Sequence, residues 1–169
     1  MSKYPYGMVV VLGLDPGFRA TGYGVILEQS GQIEYLDAGV IRTDSGASLV
    51  ERLGAIYVGV VGLVERYAPH EAVVENIFAA KNVASALKLG QARGAAISAL
   101  AVTGLPISEY EPTLVKQSVV GVGRADKEQV AFMVGRILVR DLHWAKDASD
   151  ALAIAICHLN HRRCRHLLA

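Results

Sequence analysis

Acidic residues stand at the ends of two apolar segments of this chain. The stretch VVVLGLD, residues 9–15, ends at Asp15, and a Pro-Gly pair follows it at once. The stretch EAVVEN, residues 71–76, carries Glu75 near its end. Because parallel neighbouring strands bring their carboxyl ends to one edge of a sheet, where the sites of α/β proteins form, these two carboxylates are candidates for a single site.

A second pair of acids lies in KDASDALAIAICH, residues 146–158. Asp147 and Asp150 are three residues apart, so on a helix they face the same way, and in a first turn the helix dipole favours their charge. Four converging carboxylates repel one another and raise each other's pKa. Mg²⁺ relieves this repulsion because it prefers carboxylate oxygens and water, and two such ions about 3.5–4 Å apart stabilise both oxygens of a phosphodiester displacement.

Each of these acids also has an ordinary structural interpretation. Asp147 is at a position where aspartate commonly caps a helix, and Asp15 before Pro-Gly is typical of a turn. Glu75 near the end of a strand could simply be solvated. These alternatives are reasonable one by one, but the joint occurrence of four acids at such positions favours a metal-dependent site.

The apolar pattern predicts the elements that would hold these acids. Three strands joined by short Gly-containing turns predict an antiparallel meander, and helices and strands alternate after it. We therefore expect an α/β fold with one mixed five-stranded sheet and helices on both faces. The predicted strands are 9–14, 22–28, 33–41, 71–76 and 105–111, and the predicted helices are 48–67, 83–102, 126–139 and 148–159.

The 169 residues predict one domain, 1–169, with a core of about 8–161, a short N-terminal extension and a basic tail. We expect the tail HRRCRH, residues 161–166, to be a frayed or solvated helix end. The chain is 52% apolar and 20% charged, which argues against disorder. Its net charge of +1 does not by itself indicate nucleic acid.

The sequence predicts a cytoplasmic protein without a secretory signal or membrane span. Cys157 and Cys164 are its two cysteines. On one helix they would lie roughly 10 Å apart, which is too far for a disulfide. Reduced cysteines fit the cytosol.

Four segments resemble the RuvC family of bacterial Holliday junction resolvases, over about residues 9–161. They are GLDPGFRATGYGVI, VVENIFAAKNVASALKLGQARG, VKQSVVGVGRADKEQV and DASDALAIAICH. The resemblance implies an RNase H-like fold and a homodimer in which each subunit nicks one of two strands of like polarity at a four-way junction, during recombination and repair. It also implies a divalent metal and partnership with the RuvA–RuvB branch-migration machinery.

The resemblance implies that Asp15, Glu75, Asp147 and Asp150 are the catalytic acids and metal ligands. We expect them to hold two Mg²⁺ ions, with Mn²⁺ as a substitute. Some relatives carry a histidine in place of one C-terminal acid, and here Asp147 occupies that position. His143, four residues earlier, is then a loop residue or an indirect partner of the site.

Candidate DNA contacts flank these acids. Phe78 lies in NIFAAKN, residues 76–82, and is either a core aromatic or, as the resemblance implies, a ring that stacks on junction bases. Lys81 lies in the same segment and forms a basic set with Lys88 and Arg93, which either guides the DNA arms or solubilises a helix.

A second basic segment surrounds GVGR, residues 121–124, whose glycines suit a close approach of backbone to phosphate. The resemblance implies that Lys116 and Lys127 contact DNA near the scissile bond. Arg124 is added from its position between them.

Helix 83–102 is rich in alanine and glycine, so it packs tightly on its own sheet or forms the dimer interface that the family implies. Two rival functions stay open at this point. The segment LDPGFRATGYGV, residues 14–25, also resembles the first phosphate loop of actin-like ATPases, although the chain has no second such loop. The other rival is a catalytically silent module that binds junctions, which the four retained acids disfavour.

Overall fold

The computed structural model describes residues 7–76, 82–140 and 144–168 and contains five strands and five helices in these ranges. In chain order they are β1 (Met8–Asp15), β2 (Ala20–Gln29), β3 (Gln32–Arg42), α1 (Leu49–Tyr67), β4 (Glu71–Glu75), α2 (Val83–Val102), β5 (Ile107–Tyr110), α3 (Pro112–Val120), α4 (Lys127–Ile137) and α5 (Lys146–Leu168).

The strands form one mixed sheet in the order β3-β2-β1-β4-β5, which confirms the predicted meander followed by parallel strands. β1, β2 and β3 are antiparallel neighbours, whereas β4 runs parallel to β1 and β5 runs parallel to β4. The parallel register pairs Leu14 with Val74. Asp15 and Glu75 are therefore the next residues along two adjacent strands.

Alternation along the strands separates two buried clusters, one on each face of the sheet. On β1, Val10, Leu12 and Leu14 pack in one cluster with residues of α1 and α2. Val11, like Val73 of β4, packs in the other cluster with residues of α3, α4 and α5. Helices on both faces confirm that part of the prediction, and by parity Asp15 and Glu75 share the face that α5 covers.

The sequence analysis missed α3, which lies between the predicted strand 105–111 and the predicted helix 126–139. Pro112 occupies the first position of this helix, where its fixed φ suits a helix start, and Gly121 ends it with a φ of 90°. The helix has nine residues, of which Val115 and Val119 are buried. So short a segment displays too few apolar positions to reveal a helical period.

The start of the tail is held more firmly than a frayed end would be, because α5 continues to Leu168 and two of its arginines bond to distant residues. Arg162 donates from Nε to Glu71 Oε1 across 2.9 Å, and Arg163 donates to the Gly31 carbonyl across 2.7 Å. Glu71 lies on β4 and Gly31 in the turn between β2 and β3, both remote in sequence, so the local composition could not reveal them.

Cys157 and Cys164 both lie on α5 as free thiols, which confirms that they do not pair. Among the described residues, no helix combines the length and the apolar character that crossing a bilayer would require.

Candidate active site

Asp15 and Glu75 lie at one edge of the sheet because two parallel strands end there. Asp15 is the last residue of β1 and Glu75 the last residue of β4. On the other side of β4, the Asn76 amide donates to the Tyr110 carbonyl across 2.8 Å, which extends the pairing with β5 just past Glu75. The two carboxylates are thus carried by hydrogen-bonded strands rather than by a free loop.

Glycines allow α5 to lie directly on the strands and bring its acids to the same edge. A Cβ atom at Gly22 would lie 2.0 Å from the Asp147 carbonyl oxygen, and one at Gly13 would lie 2.3 Å from that of Ala151. Only glycine fits at such separations. Gly22 is the β2 partner of Asp15, so this contact sets the first turn of α5 beside Asp15.

Burial and like charges raise the pKa of Asp15 to about 8. Desolvation is the largest cause, followed by the charges of Glu75 and Asp150, while the charge of Lys127 opposes them and Asp147 adds a smaller increase. The neighbouring acids thus add to the effect of burial, and a bound cation would relieve the repulsion among them.

The pKa of Glu75 is raised as well, chiefly by desolvation and then by the charge of Asp150. The charge of Lys127, a hydrogen bond with Asp15 and the charge of Lys116 act in the opposite direction. The structure thus brings Asp15, Glu75, Asp147 and Asp150 into one electrostatic group, as the sequence analysis expected, with two lysines beside it.

The ammonium group of Lys127 contacts one of these acids, Asp150, directly. Its Nζ lies 2.5 Å from Asp150 Oδ2, and the pair borders an open cavity of about 450 Å³ between α4 and α5. The hydrogen bond with Asp150 is the largest cause of a raised pKa for Lys127, which therefore stays charged.

The acids offer the hard oxygen ligands that Mg²⁺ and Mn²⁺ prefer, and the charges of three of them contribute, after desolvation, to the raised pKa of Asp15. Across the ranges that the structure describes, however, no set of three or more Asp, Glu, His or Cys side chains stands close enough to hold one ion. The ligand types at this edge therefore fit a divalent metal. In this structure Asp150 pairs with Lys127 rather than with a metal ion.

The other predicted residues have different outcomes. Lys116 lies half-buried on α3, Arg124 is exposed between α3 and α4, and Lys127 begins α4. Phe78, Lys81 and His143 lie outside the described residues.

The Arg93 side chain contacts other residues of the protein instead of extending freely into solvent. Its Nε donates to the Glu75 carbonyl oxygen across 3.3 Å, and its Nη2 lies 2.7 Å from Glu109 Oε2. The sequence analysis had grouped Arg93 with surface lysines and missed this contact, because Glu109 lies on a strand remote from it in sequence.

The sequence analysis also overlooked the glycines under α5, although a signal was present. Gly22 and Gly24 are two residues apart on β2, so they share one face, and a Cβ at Gly24 would lie 2.8 Å from the Leu152 amide nitrogen. Glycines repeated on one face of a buried strand indicate close packing of another element against it.

Comparison with known proteins identifies the family of this chain. The family model "Crossover junction endodeoxyribonuclease RuvC" matches residues 11–158, which include all four acids. The curated protein of that name from Solidesulfovibrio magneticus is 58% identical over 158 residues, covering 94% of each chain. That from Oleidesulfovibrio alaskensis is 55% identical over 161 residues, covering 95% of this chain and 96% of the relative.

Solved structures agree with this assignment. The Thermus thermophilus RuvC structure in complex with a Holliday junction substrate has a TM-score of 0.87 and 34% identity, covering 93% of this chain and 96% of that one. The likeness confirms the predicted RNase H-like fold. The chain belongs to the RuvC family of crossover junction endodeoxyribonucleases.

Proposed function

We propose that this protein is a structure-selective endonuclease that resolves four-way DNA junctions by hydrolysing phosphodiester bonds during recombination and repair. The observation that carries the proposal is the partly buried Asp15 carboxyl, whose pKa three other acids help to raise, at the sheet edge of a RuvC-family chain. A related RuvC was solved with a Holliday junction substrate, and we extend that substrate class to this protein.

We infer that Asp15, Glu75, Asp147 and Asp150 hold two Mg²⁺ ions, for which Mn²⁺ can substitute. Divalent ions there would lower the pKa of the attacking water and neutralise charge on the phosphodiester oxygens. The chain contributes carboxylates carried on strand ends and on a helix packed against glycine, so the ligands are held on rigid elements.

The basic residues beside the acids would contact the DNA strand. Lys127 lines the cavity beside Asp150 and, once released from Asp150, would pair with a phosphate oxygen. Lys116 is near enough to Glu75 to lower the pKa of that residue, which supports a position beside the scissile phosphate. We assign Arg124 to the flanking backbone, and Phe78 and Lys81 to the junction by resemblance alone.

A homodimer would supply the two active sites that paired nicks require. A two-fold axis meets this need with one interface. The outward side of α2 supports the proposal, because Val83 and Leu87 are 86% and 62% exposed. Partnership with RuvA–RuvB rests on the family resemblance. A cytoplasmic location follows from the proposed DNA substrate and fits the two free cysteines.

A synthetic four-way junction, incubated with the protein with and without Mg²⁺ and resolved on a denaturing gel, tests the function. We expect symmetric nicks in two strands with Mg²⁺, and no cleavage of a linear duplex of the same sequence. Asp15→Asn and Glu75→Gln should lose cleavage while they retain junction binding, since binding depends on basic residues and shape. Binding by the wild-type protein without cleavage in Mg²⁺ or Mn²⁺ would identify a silent junction-binding module and refute the proposal.

A further inference from the structure

We propose that Arg93 is a positioning residue that fixes the end of β4, so that Glu75 can act as a metal ligand. The inference rests on the proposed function, in which Glu75 binds metal. It departs from the expectation that Arg93 belongs to a basic surface that guides the DNA arms.

The contacts of Arg93 join three elements at the edge of the sheet. Arg93 lies on α2, its Nε donates to the carbonyl oxygen of Glu75 at the end of β4, and its Nη2 pairs with Glu109 of β5. The Arg93 side chain is 23% exposed. Its guanidinium is therefore held between strand ends, and its charge is already matched by a carboxylate.

Glu75 needs this support because the sheet holds it on one side only. The pairing of β4 with β1 ends at Val74, whereas the pairing with β5 extends to Glu75 and Tyr110. The contact of Arg93 with the Glu75 carbonyl oxygen provides a second hold on this strand end, from the side of α2.

Arginine suits this role better than lysine. The guanidinium presents several N–H groups in a fixed plane, so it can serve the Glu75 carbonyl and the Glu109 carboxylate together. A lysine ammonium is a single charged point on a flexible stem. Arg93→Lys can keep the ion pair with Glu109, but it should lose the hold on the Glu75 backbone.

The experiment measures Mn²⁺ binding by calorimetry in the absence of DNA, with urea unfolding and junction binding in EDTA on the same samples. We expect Arg93→Gln to weaken Mn²⁺ binding by about 10–100-fold, as loss of a group that orients a metal ligand does. Arg93→Lys should weaken it by less than Arg93→Gln. Junction binding in EDTA should not change, because Arg93 does not contact DNA in this proposal.

Arg136→Gln is the matched control, because it removes the same charge from an exposed position in the last turn of α4. It should bind Mn²⁺ like the wild-type protein. Asp15→Asn is the reference for a damaged site. If Asp15→Asn loses Mn²⁺ binding while Arg93→Gln and Arg93→Lys bind it normally, the inference is overturned and the proposed function stands.

Other outcomes are equally decisive. If wild-type protein and Asp15→Asn bind Mn²⁺ alike, the metal site of the proposed function fails, and the role of Arg93 fails with it. Normal Mn²⁺ binding by Arg93→Gln with weakened junction binding in EDTA would make Arg93 a DNA contact. If Arg93→Gln does not fold, Arg93→Lys and Glu109→Gln decide, since both should weaken Mn²⁺ binding and normal binding by both overturns the inference.

Discussion

Lys127 donates a hydrogen bond from Nζ to Asp150 Oδ2 across 2.5 Å and so joins the start of α4 to the start of α5. The ammonium offsets one carboxylate in a group of four, and its charge also opposes the raised pKa values of Asp15 and Glu75. In the proposed function, Lys127 would therefore compete with a metal ion for Asp150 and would be released by a DNA phosphate.

The competition predicts opposite effects of Lys127→Met on metal binding and on catalysis. We expect tighter Mn²⁺ binding without DNA, because the competing ammonium is gone. Cleavage should fall at least about tenfold, because a positively charged side chain beside the phosphate is lost. Calorimetry and a single-turnover cleavage assay measure the two quantities. Weaker Mn²⁺ binding by the variant would show that Lys127 supports the metal site instead of competing for it.

A second prediction concerns the stability of the metal-free protein as a function of pH. The pKa of Asp15 is about 8 in the fold, against an ordinary value of 3.8. A carboxyl with a raised pKa favours the fold while it is protonated, so this contribution is complete below 3.8 and is lost as the pH rises through about 8. The asparagine of Asp15→Asn is neutral at every pH, so the variant does not lose this stability as the pH rises.

Urea unfolding in EDTA should therefore find Asp15→Asn more stable than the wild-type protein at pH 8, by at least about 1 kcal/mol. The difference should shrink towards acid pH. Saturating Mg²⁺ should reverse the order, since only the wild-type site gains binding energy from the ion. A difference that stays constant with pH would contradict a pKa of Asp15 raised by partial burial and neighbouring acids.

The contact of α5 with the strands provides a third prediction. In Gly22→Ala the new Cβ would meet the Asp147 carbonyl oxygen at 2.0 Å, and a backbone atom cannot turn aside as a side chain can. The helix must shift, so we expect a loss of about 1–3 kcal/mol of stability, typical of overpacking, together with a loss of cleavage. Denaturant unfolding and the gel assay measure both.

Gly54→Ala is the control for this variant. Gly54 lies on the exposed side of α1, and a Cβ there meets no atom within 4 Å. Alanine is the better helix former, so Gly54→Ala should stabilise the protein by about 0.5–1 kcal/mol with unchanged cleavage. Equal effects of the two substitutions would mean that the approach of α5 to Gly22 does not position the acids.

The sequence revealed the elements whose signals are local. The strand that ends at Asp15 and the helix of small residues over 83–102 carry their periodicity and their end signals in consecutive residues, and both are present as predicted. The short helix α3 offered too few buried positions to be recognised. The acids could be placed on one edge because topology alone brings the ends of parallel strands together.

Pairings between distant segments were beyond sequence reasoning. Nothing near Arg93 indicates that it reaches the Glu75 carbonyl and Glu109, and nothing near Arg162 indicates its bond with Glu71. In the sequence, both arginines resemble solvated surface residues, because the acids that pair with them are brought close only by the tertiary fold. The seating of α5 on Gly22 depends likewise on a helix that begins more than a hundred residues later.

A fourth prediction concerns Phe78, which lies outside the described residues and whose role rests on the family resemblance. If Phe78 stacks on a junction base, Phe78→Ala should leave the free energy of unfolding almost unchanged and weaken junction binding by roughly 1–3 kcal/mol. If Phe78 were a core residue, Phe78→Ala would instead lower the stability by about 3–5 kcal/mol. A urea melt and a cleavage time course on the same variant separate the two roles, and a large loss of stability would remove Phe78 from the site.

The proposed dimer provides the fifth prediction. Light scattering at micromolar concentration should give about twice 18.0 kDa for the wild-type protein. Leu87 is 62% exposed on α2, so Leu87→Glu should leave the fold intact but bury an unpaired carboxylate in the proposed interface, which should dissociate the dimer. Phe132→Glu is the control, because Phe132 is 67% exposed on α4, on the opposite side of the sheet. This variant should remain dimeric. If Leu87→Glu stays at the wild-type mass, this side of α2 is not the interface, and the two active sites must be brought together by another surface.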